Sequence, residues 1–296
     1  MIHKNDIKDA EDIEFDHYEE NQIKLRLLKD KLYKAVTWFF GLLVAVPLVF
    51  ILGFIVVKGI KVINWGFFTS LPKPPGEVGG GVANAIVGSM EIVGIAAITA
   101  IPFGIAVGVF LYEYTNSKFG SVVRLCAEVL QGIPSIVIGI VAYLWIVIPL
   151  GGFSALSAGF ALALMMLPVI IRSTEETLLL ISNEIKEASM ALGVPYHKTI
   201  IKVIIPAGMS GISTGVLLGL ARIVGETAPL LFTAFGNPYM NVNLLKPVNA
   251  LPLLIFNYAT SPYLEWQELA WGASFVLIIF ILLLNISTKV FINHGR

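Results

Sequence analysis

The sequence predicts an all-α membrane protein that crosses the bilayer six times, with both termini on the cytoplasmic side. Three observations carry that prediction. The 296-residue chain is 56% hydrophobic and only 14% charged, where a soluble domain carries about 25% charged residues. Its apolar residues gather into runs that reach the roughly 20 residues a spanning helix needs. Its basic residues fall almost wholly on one side of those runs. A net charge of zero lacks the basic footprint of a nucleic-acid binder, so the surroundings this composition fits are membrane lipid.

The elements follow in order. Residues 1–34 form a polar tail with Glu11, Asp12, Glu14, Asp16, Glu19 and Glu20 ahead of any apolar run, unlike a cleavable signal peptide. Apolar segments then stand at about 35–57, 84–111, 125–148, 153–171, 207–235 and 268–292. Residues 35–82 hold the first span and an external loop, and 83–292 hold the rest of the transmembrane domain. Pro102, Pro134, Pro149 and Pro168 lie within or at the ends of these runs. The carbonyls they free must be satisfied by neighbouring helices, so the spans belong to a packed bundle. A polar stretch of helix-forming composition, 172–206, separates the fourth and fifth spans. A loop rich in Pro, Asn and aromatic residues, about 236–267, separates the fifth and sixth.

Orientation comes from lysine and arginine. Of the 20 basic residues, Lys58, Lys61, Lys73 and Lys246 fall on one side, Arg222 lies in a span, and all the others fall on the opposite side. The positive-inside rule makes that richer side, with both termini and 172–206, cytoplasmic. Cys126 is the single cysteine and has no internal disulfide partner.

The cytoplasmic stretch contains EASMALGVPYHKTIIKVIIP, residues 187–206. It reads as a helix from Asn183 or Glu184, an interruption at Gly193, and a second helix whose first turn suits Pro195. The second helix, roughly 196–204, sets Ile200, Ile201, Val203 and Ile204 against Lys198 and Lys202. It is too short to span. Its amphipathic face fits either docking on another protein or lying on lipid headgroups.

At this point the chain resembles the binding-protein-dependent ABC importer permeases. Glu187, Ala188, Gly193 and Pro206 match the spacing of that family's EAA loop (here 184–206), with Ser189, Val203 and Ile205 as mild departures. The resemblance implies that the loop docks on a cytoplasmic ATPase. PPGEVGGGVANAIVGS (74–89), GIPSIVIGI (132–140), ARIVGETAPLLFTAFGN (221–237) and ALPLLIFNYATSP (250–262) are similar to phosphate-importer permeases of the PstA type. From about residue 65 to 292, the likeness implies a type I importer permease in the plasma (inner) membrane of a prokaryote. It further implies a second homologous permease chain of the PstC type, two ATPase subunits of the PstB type and an external phosphate-binding protein of the PstS type. Glu91, inside the second span, is foreign to the pattern and reads as a carboxyl facing the bundle.

Residues 221–229, ARIVGETAP, place two charges inside the fifth span, where either alone is costly. Gly211, Gly215 and Gly219 stand at four-residue steps, a small-residue pattern that lets helices approach closely. At about 100° per residue, Arg222 and Glu226 fall on the same stripe and face protein or a hydrated seam. One reading makes them a self-satisfied i,i+4 ion pair. Another offers the Arg222 guanidinium to a phosphate oxyanion, with Glu226 weakening its hold so that the ion can leave. The resemblance favours the second, since the matching Arg and Glu are regarded as lining the translocation path.

Other classes fit less well. No stretch matches G-x-x-x-x-G-K-[ST], so ATP hydrolysis falls to another subunit, and nothing in the sequence asks for a cofactor or a metal. Gly208-Met209-Ser210-Gly211 resembles the GxSG of intramembrane serine proteases, but His3, His17, His197 and His294 all lie outside the spans, leaving the serine without a base. A passive anion channel has no use for an ATPase-docking loop. Another oxyanion, sulfate or molybdate, remains the alternative substrate.

Overall fold

The computed structural model describes the backbone of residues 4–294 and the side chains of residues 26–287. The acidic side chains of residues 11–20, and Lys289 and Arg296, lie outside the described residues. Two compact units divide the chain, Met1–Val56 and Val57–Arg296.

The first unit is one helix. α1 runs Lys4–Gly59, so the polar tail expected over 1–34 is helical from Lys4. The reason is local: residues 4–34 contain neither Gly nor Pro and are rich in Lys, Glu and Leu, all good helix formers. From residue 26 to 56 nearly every side chain is exposed, Trp38, Phe39 and Phe50 among them.

In the second unit, α2 (Trp65–Thr69) begins where Asn64 Oδ1 accepts from Phe67 N at 2.9 Å. α3 (Ala83–Glu113) and α4 (Lys118–Gly132) follow, then α5 (Ser135–Leu150) and α6 (Ala155–Leu179). The loop region folds as α7 (Asn183–Ala191) and α8 (Tyr196–Ala207). α9 (Met209–Val224), α10 (Ala228–Thr233), α11 (Leu251–Ala259) and α12 (Leu264–His294) complete the unit. Ser154 and Ser182 cap α6 and α7 through hydrogen bonds from Ser157 N (3.1 Å) and Glu184 N (3.2 Å), the usual way of satisfying an orphan helix-start amide.

Among the described residues four helices, α1, α3, α6 and α12, are long and apolar enough to cross a membrane. Two bent pairs bring the total to six: α4 with α5, bent by 106°, and α8 with α9, bent by 67°. The third expected span, 125–148, is therefore not a single rod. Ile133 is extended (φ −70, ψ 132) because the following Pro134 crowds the helical conformation of the residue before it. The fifth, expected over 207–235, stops at Val224. Pro229 has no N–H to give to Gly225, and its fixed φ suits the first turn of a new helix, α10.

α6 is the axis of this unit. Ala155, Ala158, Ala161, Leu162 and Met166 are all buried, and α3 lies along it so closely that a methyl group on Gly104 would come within 2.8 Å of Ile170 Cβ. Between helices in lipid, apolar burial drives little, and close van der Waals approach of small residues holds the pair. A second core at the other end joins Phe67, Leu251, Leu254, Tyr258 and Leu269. α5 and α8 each contain one wide turn, over 143–147 and 200–204, in which Ile148 N reaches Tyr143 O and Ile205 N reaches Ile200 O. Each wide turn directly precedes a proline, Pro149 or Pro206, and shifts the hydrogen-bond register where the missing donor would leave a carbonyl unmet.

Candidate functional site

The glycine stripe faces α6. A Cβ at Gly211 would fall on the Thr177 side chain, one at Gly215 on Ser173, and one at Gly219 would lie 3.0 Å from Met166 Cγ. Ser173 Oγ donates to the Gly211 carbonyl at 3.3 Å across this seam. Only glycine lets α9 sit this near.

Beyond the seam the geometry departs from the sequence reading. Arg222 occupies the last turn of α9 and is exposed, whereas Glu226 is half-buried beyond the helix end. Gly225 closes α9, and Glu226 N turns back to the Ile223 carbonyl at 3.2 Å. The two charges therefore do not occupy successive turns of one helix, and they form no ion pair among the described residues. Pro229 breaks the register that an i,i+4 pair requires. Arg222 has no hydrogen-bond or ion-pair partner among the described residues, so its five donors (two terminal amines and the Nε–H) are free to meet an anion or another chain.

Two other arginines in the membrane domain are paired, whereas Glu91 Oε2 in α3 is buried with no hydrogen-bond partner among the described residues. Arg124 on α4 donates from Nε (2.9 Å) and Nη2 (2.5 Å) to Glu175 Oε1 on α6. Arg172 bridges back to Glu128 at 2.5 Å and along its own helix to Glu176 at 2.8 Å. Sequence reading took Arg124 and Arg172 only as markers of orientation. The available signal was an Arg and a Glu four apart on each helix, Arg124 with Glu128 and Arg172 with Glu176, but the cross-helix partners are invisible locally.

The loop 184–206 is a folded hairpin. α7 ends before Gly193, which has φ +80, a left-handed conformation that glycine adopts without penalty. Pro195 is the residue just before α8. Ser189 and Thr199, both buried, share a hydrogen bond of 3.0 Å that ties the two helices together. Glu187, Ala188, Met190 and Leu192 form an exposed outer face, and Pro206 is exposed near the end of α8. Lys186 points inward instead, its Nζ 3.4 Å from Glu113 Oε1 at the end of α3. Ile200 and Ile204 are buried, while Ile201 is exposed, so the amphipathic face is narrower than its isoleucines indicated.

At the other end of the unit a cavity of about 530 Å³ is lined by Lys73, Phe235, Asn237, Asn249, Asn257 and Trp266, among others. Among the described residues, no group of three or more His, Cys, Asp and Glu could hold a metal ion.

The profile of the binding-protein-dependent transport system inner membrane component family matches residues 100–294. The chain belongs to that family. It is thus a multi-pass inner-membrane transport component. The phosphate transport system permease protein PstA of Xylella fastidiosa (strain 9a5c) is 43% identical over 82% of this chain and 85% of its own length. PstA of Haemophilus influenzae is 40% identical over 84% and 88%, and a probable PstA of Methanocaldococcus jannaschii is 36% identical over 87% and 92%. Among solved structures, the inward-facing MetNI methionine ABC transporter matches with a TM-score of 0.62 at 19% identity, covering 73% of this chain and 96% of that one. The likeness establishes the type I importer permease fold.

Proposed function

We propose that this chain is the permease subunit of an ATP-driven phosphate importer, with Arg222 and Glu226 on the translocation path. The observation that carries the path assignment is the unpartnered, exposed guanidinium of Arg222 at the broken end of α9. A planar donor fork without a partner suits a tetrahedral oxyanion. Glu226, beyond the break, limits how tightly that anion is held, since conduction needs release as well as binding. The names of the relatives support phosphate over sulfate or molybdate.

In this reading residues 83–292 are the permease domain, and 184–206 is its coupling loop. Glu187 and Ala188 meet the ATPase, while Gly193 and Pro206 set the loop's shape. Gly211, Gly215 and Gly219 hold α9 against α6. The chain itself is non-catalytic. It works beside a second permease chain of the PstC type, two ATPase subunits of the PstB type and an external binding protein of the PstS type.

The test is phosphate uptake by the full complex in vesicles, normalised to assembled complex, for wild type, Arg222→Ala, Arg222→Lys and the double change Arg222→Gln/Glu226→Gln. A path residue leaves both Arg222→Ala and the double variant assembled but inactive, with Arg222→Lys partly active. Wild-type uptake by the double variant would remove Arg222 from the path.

A further inference from the structure

We infer that Lys186 is a positioning residue for energy coupling: a caged cation that transmits motion of the docking helix α7 to the cytoplasmic-side end of α3. The inference rests on the coupling-loop reading above and extends it from the loop's outer face to its inner one.

The cage is built from three separate pieces of chain. Lys186 comes from α7, Glu113 and Tyr112 from the last turn of α3, and Tyr196 from the first turn of α8. Lys186 Nζ lies 3.4 Å from Glu113 Oε1, 5.4 Å from the Tyr112 ring centroid and 4.7 Å from the Tyr196 ring centroid. The Lys186 and Glu113 side chains keep only 21% and 13% of their exposure. An ammonium on a largely buried side chain, within reach of a carboxylate and two aromatic rings that come from two other helices, is restrained by its attraction to all three. An exposed lysine of the same length would only swing.

Its placement makes the restraint mechanical. On α7, Glu187 and Ala188 are exposed while Lys186 turns inward. Tyr112 also joins the apolar cluster of Leu178, Ile200, Ile204 and Ile212, which ties α3 to α6, α8 and α9. A displacement of the outer face therefore has a polar route into α3 and, through Tyr112, into α9, whose last turn carries Arg222. The Ser189–Thr199 hydrogen bond keeps α7 and α8 moving as one piece, so Lys186 and Tyr196 arrive together.

The experiment uses the full complex in vesicles and reads phosphate imported per ATP hydrolysed, together with the yield of assembled complex. Lys186→Met keeps the apolar stem and removes the charge; Glu113→Gln removes the opposite charge from a helix outside the docking loop. Each is expected to assemble normally, to keep substrate-stimulated ATPase within about twofold of wild type, and to lower the phosphate-to-ATP ratio at least fivefold. The swap Lys186→Glu/Glu113→Lys should recover at least half of that ratio. A wild-type ratio in either single variant, poor assembly of both, or no recovery in the swap overturns the proposal. Gly193→Val runs alongside: if it leaves the ratio at the wild-type value, the coupling-loop reading itself has failed, whereas a fall there with wild-type ratios in the Lys186 and Glu113 variants refutes the cage alone.

Discussion

Among the places where the chain stops a helix at a glycine and restarts it at a proline, the breaks at Gly193 and Gly225 differ in what closes around them. At Gly193 the break is locked: Ser189 bonds Thr199, and Lys186 is enclosed by Glu113, Tyr112 and Tyr196. At Gly225 the break is open: Arg222 is exposed without a partner, and Glu226 bends away from it. The same two residue types thus serve opposite ends. A break surrounded by satisfied polar groups behaves as a rigid corner, whereas a break that leaves a charge unsatisfied makes a place for something else to bind.

The open break hangs from the glycine seam, so the largest effect is expected there. Gly215→Leu drives a side chain into Ser173 and should abolish assembled complex, read as recovery of all subunits after detergent extraction. Normal recovery would mean that α9 does not need its close seat on α6.

Next in size is the locked corner. Gly193→Val forces a β-branched residue to positive φ, a strain of about 1–3 kcal/mol. Nothing crowds a Cβ at Gly193, so backbone conformation alone is tested. Phosphate uptake should fall at least fivefold while assembly and ATPase activity persist; Gly193→Asn, which tolerates the left-handed region better, should retain more uptake. Equal loss in both variants would contradict a backbone cause.

A smaller effect separates open from closed directly. In a Cys126→Ser background, cysteine at position 222 should react with a hydrophilic thiol reagent at least tenfold faster than cysteine at position 189, since Arg222 is exposed and Ser189 is 8% exposed. Similar rates would erase the contrast between the two breaks.

The smallest change expected is that of Ser189→Ala. Losing one buried hydrogen bond costs about 1 kcal/mol, so uptake should drop less than about twofold, while amide exchange across 183–204 accelerates. Unchanged exchange would show that the bond to Thr199 does not hold the corner.

What the sequence could reveal follows the range of the interaction. The spans are legible because membrane thickness demands long apolar runs. The glycine seam is legible because close helix approach selects small residues at fixed spacing. Gly193 is legible because few other residues sit comfortably at positive φ. Local reading failed at Arg222 and Glu226, where four-residue spacing implied one helical face and Pro229, three residues further, cancelled it. It also could not reach Arg124–Glu175 or Lys186–Glu113. Their partners lie on different helices, and a single sequence carries no trace of which helices meet. Similarly, Pro134 announces a break between α4 and α5 but does not set its 106° bend.

The exposed guanidinium of Arg222 has a consequence for the life of the subunit before it transports anything. A newly inserted copy carries an uncompensated cation within a span, a liability of about 2.5–3.5 kcal/mol on insertion scales at the bilayer centre. Association that covers or hydrates Arg222 relieves that liability, so the same side chain that suits an anion also marks an orphan. Solitary copies are expected to be shorter-lived in the membrane than assembled ones, and Arg222→Leu is expected to lengthen the solitary half-life in a pulse-chase while leaving that of the assembled complex unchanged. The cell would then read stoichiometry from the same residue that is proposed to meet the anion.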